Sequence, residues 1–434
     1  MTVTDPWGLP ISCAAEVAPM YGEALRRFHD QRSGEAERLA EVVRQDPGFA
    51  VGHATAALMA AFGSEDFDAQ AEMKAAEEGR ADHDWERSFV AATRHLVDEG
   101  MWGAQGRWLA HHDAYPADLV GMTVAAFTLL MDTDPEHEAE AKRRLERTMD
   151  TVEEDPALLG FLAMFEQDFG NLDRAHELAQ RSLDLDPTGF AGGHPLSHVY
   201  FETGDHQNGL AWLDPWLATT DSEATFKGHL VWHGALHALA LGDGEGALAR
   251  YPHCGGSNAG GMLIDGPSLL WRCQLLGHVP SGTDPLDPRV STLAAPLMDK
   301  VPFTFVGVHV ALALATAGDA DGLRQYAHNA RGFDAPGAAE ILPGLANGLA
   351  AYVEGDHARA VEILLPLEQR LWQVGGSRAQ REVFEDTLIH ALIRAQRYDE
   401  AATRLQVRLD RREGPLDQRL LAETVSGGHA ILDP

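Results

Sequence analysis

The run Gly170-Asn171-Leu172-Asp173-Arg174-Ala175, continued by Leu178, Ala179, Ser182 and Leu183 to Asp186-Pro187, contains a complete helix with its start and stop signals. Glycine tolerates the left-handed backbone that ends one helix, and the small polar residue after it can cap the next. Ala175, Leu178, Ala179, Ser182 and Leu183 then follow the i, i+3, i+4, i+7, i+8 spacing of one apolar helical stripe. Proline after Asp186 cannot carry that helix on. The same stop follows the helix before Asp46-Pro47.

The punctuation recurs along the chain. It reads Gly204-Asp205 with Gly209-Leu210, Gly242-Asp243 with Ala247-Leu248, Gly318-Asp319 with Gly322-Leu323, and Gly355-Asp356 with Ala360-Val361. Weaker copies stand at Gly63, Gly100, Asp132, Gly277 and Arg397, a mean spacing of about 37 residues. No alternating strand pattern competes with it. The expected fold is therefore all-α: a tetratricopeptide-like α-solenoid, a superhelix of about ten antiparallel helical pairs, each burying its stripe on its neighbours. Residues 1–434 are expected to form a single solenoid domain, because such an array grows without enlarging one core. Two stretches break the rhythm and are expected to be irregular loops. One is 251–262, with Cys254-Gly255-Gly256-Ser257-Asn258-Ala259-Gly260-Gly261, and the other is 279–288, with three prolines.

Composition narrows the function. The 434 residues carry 34 basic and 66 acidic side chains, a formal charge of −32, with 45% hydrophobic residues. So acidic a surface repels nucleic acid and anionic membranes, and neither is expected as a partner. The first residues lack the basic stretch and apolar run of a signal peptide, and the least polar window, 306–318, is too short to span a bilayer. Cys13, Cys254 and Cys273 form no paired framework, so a reducing cytoplasm is the expected location. The glycine stretch at 254–261 lacks the G-K-[ST] ending of a phosphate loop, and there is no G-x-S-x-G elbow. No cofactor is expected, and the oligomeric state is not readable.

The block Gly375-Gly376-Ser377-Arg378-Ala379-Gln380-Arg381-Glu382-Val383-Phe384, followed by Leu388-Ile389-His390-Ala391-Leu392, resembles the tetratricopeptide repeat protein 38 family. The likeness extends to Leu9-Pro10-Ile11-Ser12, Phe49-Ala50-Val51-Gly52-His53-Ala54, the histidine pairs and Asp265. It implies a curved all-helical fold. The polar residues of the family pattern near Phe89, Ala126-Phe127, Phe201 and Gly307 are apolar or absent in this chain. Within the block, Ser377 and Gln380 have the spacing of a capping box, and Arg381 and His390 are left as pocket candidates.

Twenty-one histidines are present, and several keep the repeat register. His194 and His198 lie four apart, and so do His229 and His233 one repeat later, which puts each pair on one helix face. With His53 and His309 they form a ladder, flanked by Tyr200, Trp232 and His237 and expected to line an inner, concave wall. Three readings stand side by side: part-buried structural histidines, a ligand or acid–base pocket, and a metal site made from two H-x-x-x-H pairs. No H-E-x-x-H is present, and no metal ligand is assigned. The expected function is binding of a protein segment or a neutral or cationic small molecule by His53, His194, Tyr200, His229, Trp232, Asp265, His309 and Arg381. The alternative is an enzyme of specialised metabolism with His198 and His233 as its acid and base. His111-His112-Asp113, at a helix end before Tyr115-Pro116, is expected to face solvent.

Overall fold

A computed structural model describes residues 2–134, 136–256, 259–279 and 286–426. Among these, twenty-two α-helices and four short 3-10 segments follow one another, and the only β-structure is two isolated bridges, Thr4 to Pro10 and Phe49 to Arg80. The described chain is all-α, a succession of helices packed on their sequence neighbours.

The punctuation residues act as the sequence predicts. Gly242 and Gly318 have φ of 84° and 72°, a region where a side chain would be strained. At each, two backbone bonds close the helix end: Gly242 N–H to Leu239 O (2.8 Å) with Asp243 N–H to Ala238 O (2.9 Å), and the same pattern at Gly318 and Asp319. The side chains of Asp243, Asp319 and Asp356 then accept from the third backbone N–H of the next helix. At the weak copy near Arg397, Gln396 takes the left-handed position instead, at φ 60°. Gly100, at φ 74°, interrupts the long helical run Asp84–Ala114, so that this run is two helical segments.

The chain divides into two compact units. The first comprises Met1–Leu130, Asp134–Phe165 and Leu178–Gly192; the second comprises Met131–Thr133, Glu166–Glu177 and Gly193–Pro434. The first buries Tyr21, Phe49, Phe89 and Trp108 at its centre, and the second buries Trp232, Leu270, Tyr326 and Leu345. Each such side chain contributes roughly 1.5–3 kcal/mol of burial. The stripe read from the sequence, Ala175, Leu178, Ala179, Ser182 and Leu183, is buried throughout.

The expected loop at 251–262 needs correction. Tyr251–His253 is a 3-10 turn, Cys254–Gly256 are turns, and the helix Ala259–Leu275 already covers 259–262. Glycines at 260 and 261 stand in a first helical turn, where they cost little and permit close packing. A Cβ on Gly228 would lie 1.9 Å from Gly256 N, and one on Gly255 would lie 2.2 Å from Met262 N. The glycines serve close backbone approach. Ser257 and Asn258 lie outside the described residues, as do 280–285 of the second expected loop. That loop ends at Asp287, which caps the helix Pro288–Ala294.

Candidate functional site

The histidine pairs, all in the second unit, are brought together by two helices. His194 and His198 belong to Phe190–Glu202, and His229 and His233 to Lys227–Ala240. Their ring centroids are 5.0 Å apart for His194 and His229, 4.4 Å for His198 and His233, and 5.2 Å for His194 and His233. Within each pair the Nε2 atoms face one another, at 3.0 Å for His194 and His198 and 3.2 Å for His229 and His233. A ligand atom from each of His194, His198 and His233 lies within 4.8 Å of the others.

Asp265, from Ala259–Leu275, anchors the cluster. Both its carboxylate oxygens stand 3.1 Å from His229 Nδ1, and the residue is 2% exposed. A carboxylate accepts only, so Nδ1 carries the proton and His229 Nε2 presents a lone pair. Trp232 stacks on His229 (5.3 Å, 18°), and Phe226 packs edge-on to His194. His198 and His233 are sealed, whereas His194, His229 and Phe226 are half-buried. Burial, reinforced by the neighbouring imidazoles, holds His194 and His233 well below the ordinary histidine pKa and His198 at about 3. The Nδ1 atoms of His198 and His233 have no hydrogen-bond partner among the described residues.

The remaining candidates lie elsewhere. His53 is in the first unit, its Nδ1 2.6 Å from Glu72 and its Nε2 3.2 Å from Pro47 O. Tyr200 packs on Trp212. His309, in Thr304–Thr316, is buried beside Phe305 and has a pKa lowered to about 3, chiefly by burial. Arg381 donates to the carbonyls of Gly375 and Gly376, bonding the backbone just before the capping box, whose Ser377 and Gln380 bond reciprocally.

Two constellations escaped the sequence reading. In the second unit a cavity of about 60 Å³ is lined by His206, Arg272, Glu382, Asp386, Arg408 and Arg412 among others. That is room for about two water molecules. Glu382 binds Arg411 (2.9 Å) and Arg412, and Asp386 binds Arg408 (2.7 Å) and Arg272 (3.2 Å). In the first unit Ser88 Oγ lies 2.8 Å from His111 Nδ1, and His111 Nε2 lies 2.8 Å from Asp118 Oδ2. The expectation that His111 and His112 face solvent is therefore wrong: they are 2% and 0% exposed. His112 bonds Thr148 (2.9 Å) and Arg144 (3.2 Å) on the helix His137–Met149, whereas the partners of His111 are Ser88 of its own helical run and Asp118 in the turn that follows.

No family model matches the chain. It is similar to several solved structures, two of them of tetratricopeptide repeats. A tetratricopeptide repeat protein from Parabacteroides merdae ATCC 43184 is 11% identical, covering 79% of this chain and 98% of its own, with a TM-score of 0.28. The TPR domain of P58(IPK) is 12% identical over 81% of this chain and all of its own, at 0.24. The Naa15/Naa10 structure bound to HypK-THB is 13% identical over 94% of this chain and 65% of its own, at 0.25. Among the described residues, no helix is long and apolar enough to cross a membrane.

Proposed function

We propose that this chain is a helical-repeat binding protein whose ligand centre is the histidine- and aromatic-lined cluster of the second unit. The ligand class is a protein segment or a neutral or cationic small species, since a net charge of −32 disfavours anions. One observation carries the reading: four imidazoles meet at a place whose inner half is sealed and whose outer half, His194, His229 and Phe226, is half-buried. Proton transfer fits it less well. A general acid or base works best with a pKa near the working pH, and burial holds His198 at about 3.

The test is a thermal-shift screen of neutral and cationic compounds against the wild type and His194→Ala. A compound that raises the melting temperature of the wild type alone supports the centre. Turnover of such a compound, lost in His198→Ala with the helical signal intact, would overturn it in favour of an acid–base enzyme.

A second reading rests on Ser88, His111 and Asp118, which have the order of contacts of a serine nucleophile, its base and the orienting carboxylate. Gly121 permits it, since a Cβ there would lie 2.6 Å from Asp118 Oδ2 and 2.8 Å from His111 Cδ2. Ser88 is half-buried. A fluorophosphonate probe is expected to label Ser88, and the label should vanish in Ser88→Ala and in His111→Gln. Failure to label the folded wild type removes the nucleophile role and leaves a structural hydrogen-bond chain.

A further inference from the structure

We infer that the histidine cluster is a binding site for one divalent transition-metal ion of the zinc, cobalt, nickel and copper group. His194, His198 and His233, whose ligand atoms lie within 4.8 Å of one another, are the ligands, and His229, outside that group but 3.2 Å from His233, closes in by a side-chain movement as the fourth. The inference rests on the binding-centre reading above and names the ligand class for that site.

Tetrahedral coordination at zinc–nitrogen distances near 2.0–2.1 Å places ligand nitrogens about 3.3 Å apart. The two intra-pair Nε2 separations, 3.0 Å and 3.2 Å, are already close to that edge. Each pair is an i, i+4 couple on one helix, and the two helices face their pairs toward each other, as metal sites inside helix bundles do. His198 and His233 are sealed, so the nitrogens need no further closure against water.

The protonation pattern points the same way. Asp265 fixes the proton of His229 on Nδ1 and leaves Nε2 as a lone pair aimed at His233 Nε2. Without an ion, His233 must place its own proton on Nε2 to meet that lone pair. A carboxylate holding the far nitrogen of a ligand histidine is the usual outer support of such sites, because it sets the tautomer and raises ligand basicity. With an ion bound, all four Nε2 lone pairs have one acceptor.

The donor set selects the ion. Four imidazole nitrogens suit borderline divalent metals, whereas magnesium and calcium require oxygen. Four protein ligands leave no open position, so the site is structural, joining Phe190–Glu202 to Lys227–Ala240. It supplies no catalytic water.

The test uses the full chain without an affinity tag, stripped with a chelator and then given zinc, cobalt(II), nickel(II) or copper(II) in turn. The expected results are about one equivalent of zinc per chain after dialysis, visible bands of tetrahedral cobalt(II), and a melting temperature raised by roughly 5 °C or more. Asp265→Asn should weaken zinc binding by about 10–100-fold. His198→Ala combined with His233→Ala should abolish the cobalt bands, and His95→Ala, on the surface of the first unit, should leave them unchanged. If the double variant does not fold, Asp265→Asn and the wild-type spectrum still decide. Wild-type protein that keeps its helical signal but retains less than about a tenth of an equivalent of each of the four metals overturns the site. If the histidine-dependent response to organic compounds survives that result, only the metal inference falls; if that response is also missing, both readings fall.

Discussion

Chelator-treated protein moved from pH 8 to pH 5 is expected to lose roughly 10 °C or more in melting temperature, with the second unit responsible. Burial is the leading cause that lowers His206 and His390 to about 4 and His237 to about 3, so these rings are neutral in the folded chain. Unfolded, they bind protons near 6.5. Between those values the unfolded chain holds more protons, so their stability is fully present above 6.5 and is lost as pH falls toward 4. Each ring contributes about 1.4 kcal/mol per pH unit across that window. Three rings supply a loss of order 5 kcal/mol at pH 5, a large share of an ordinary domain's stability. Asp5 works in the opposite sense. Burial raises it to about 7, so in the first unit it gains stability as pH falls and offsets His29 and His112, each lowered to about 4. Circular-dichroism melts from pH 8 to 5 measure the effect, and His390→Gln should flatten the slope. A melting temperature that stays level over that range refutes it.

The second large effect is expected at Glu382, which is 4% exposed among Arg408, Arg411 and Arg412. Its arginine neighbours hold its carboxyl well below the usual carboxylate range despite burial. Arg408 and Arg412 are themselves sealed, and Arg412 lies 4.1 Å from the Phe201 ring centroid. Glu382→Gln keeps the shape but leaves the buried Arg412 without its ion-pair partner, while Arg408 keeps Asp386 and Asp417. Breaking a buried pair from one side costs about 3–5 kcal/mol, and here that corresponds to roughly 10 °C. Adding Arg412→Met should recover part of the loss, because the uncompensated charge is then removed. Arg359→Ala, in an exposed pair with Glu362, should cost less than about 1 kcal/mol and serves as the comparison. A Glu382→Gln variant that melts with the wild type would show that water already screens the network.

What could be read in the sequence was what local chemistry controls. Gly242-Asp243 and Gly318-Asp319 end and restart helices through bonds spanning five residues or fewer, so their effect is written in adjacent letters. His194 and His198, or His229 and His233, share a helix face by periodicity alone. The capping box at Ser377 and Gln380 is equally local. Nothing local marks His111 as buried, because its partners stand 23 residues back and seven ahead and the kink at Gly100 lets Ser88 approach it.

The amino-acid order alone therefore determines the helices, their ends and the register in which histidines return, because each depends on contacts within one or two turns. Tertiary packing decides which registers meet. The two histidine pairs face each other, Asp265 reaches His229 from 36 residues away, and Glu382 finds Arg412 thirty residues on. On a helical wheel these charged residues are indistinguishable from a solvated face. Only burial, which removes water and makes every unpaired charge costly, turns them into a centre.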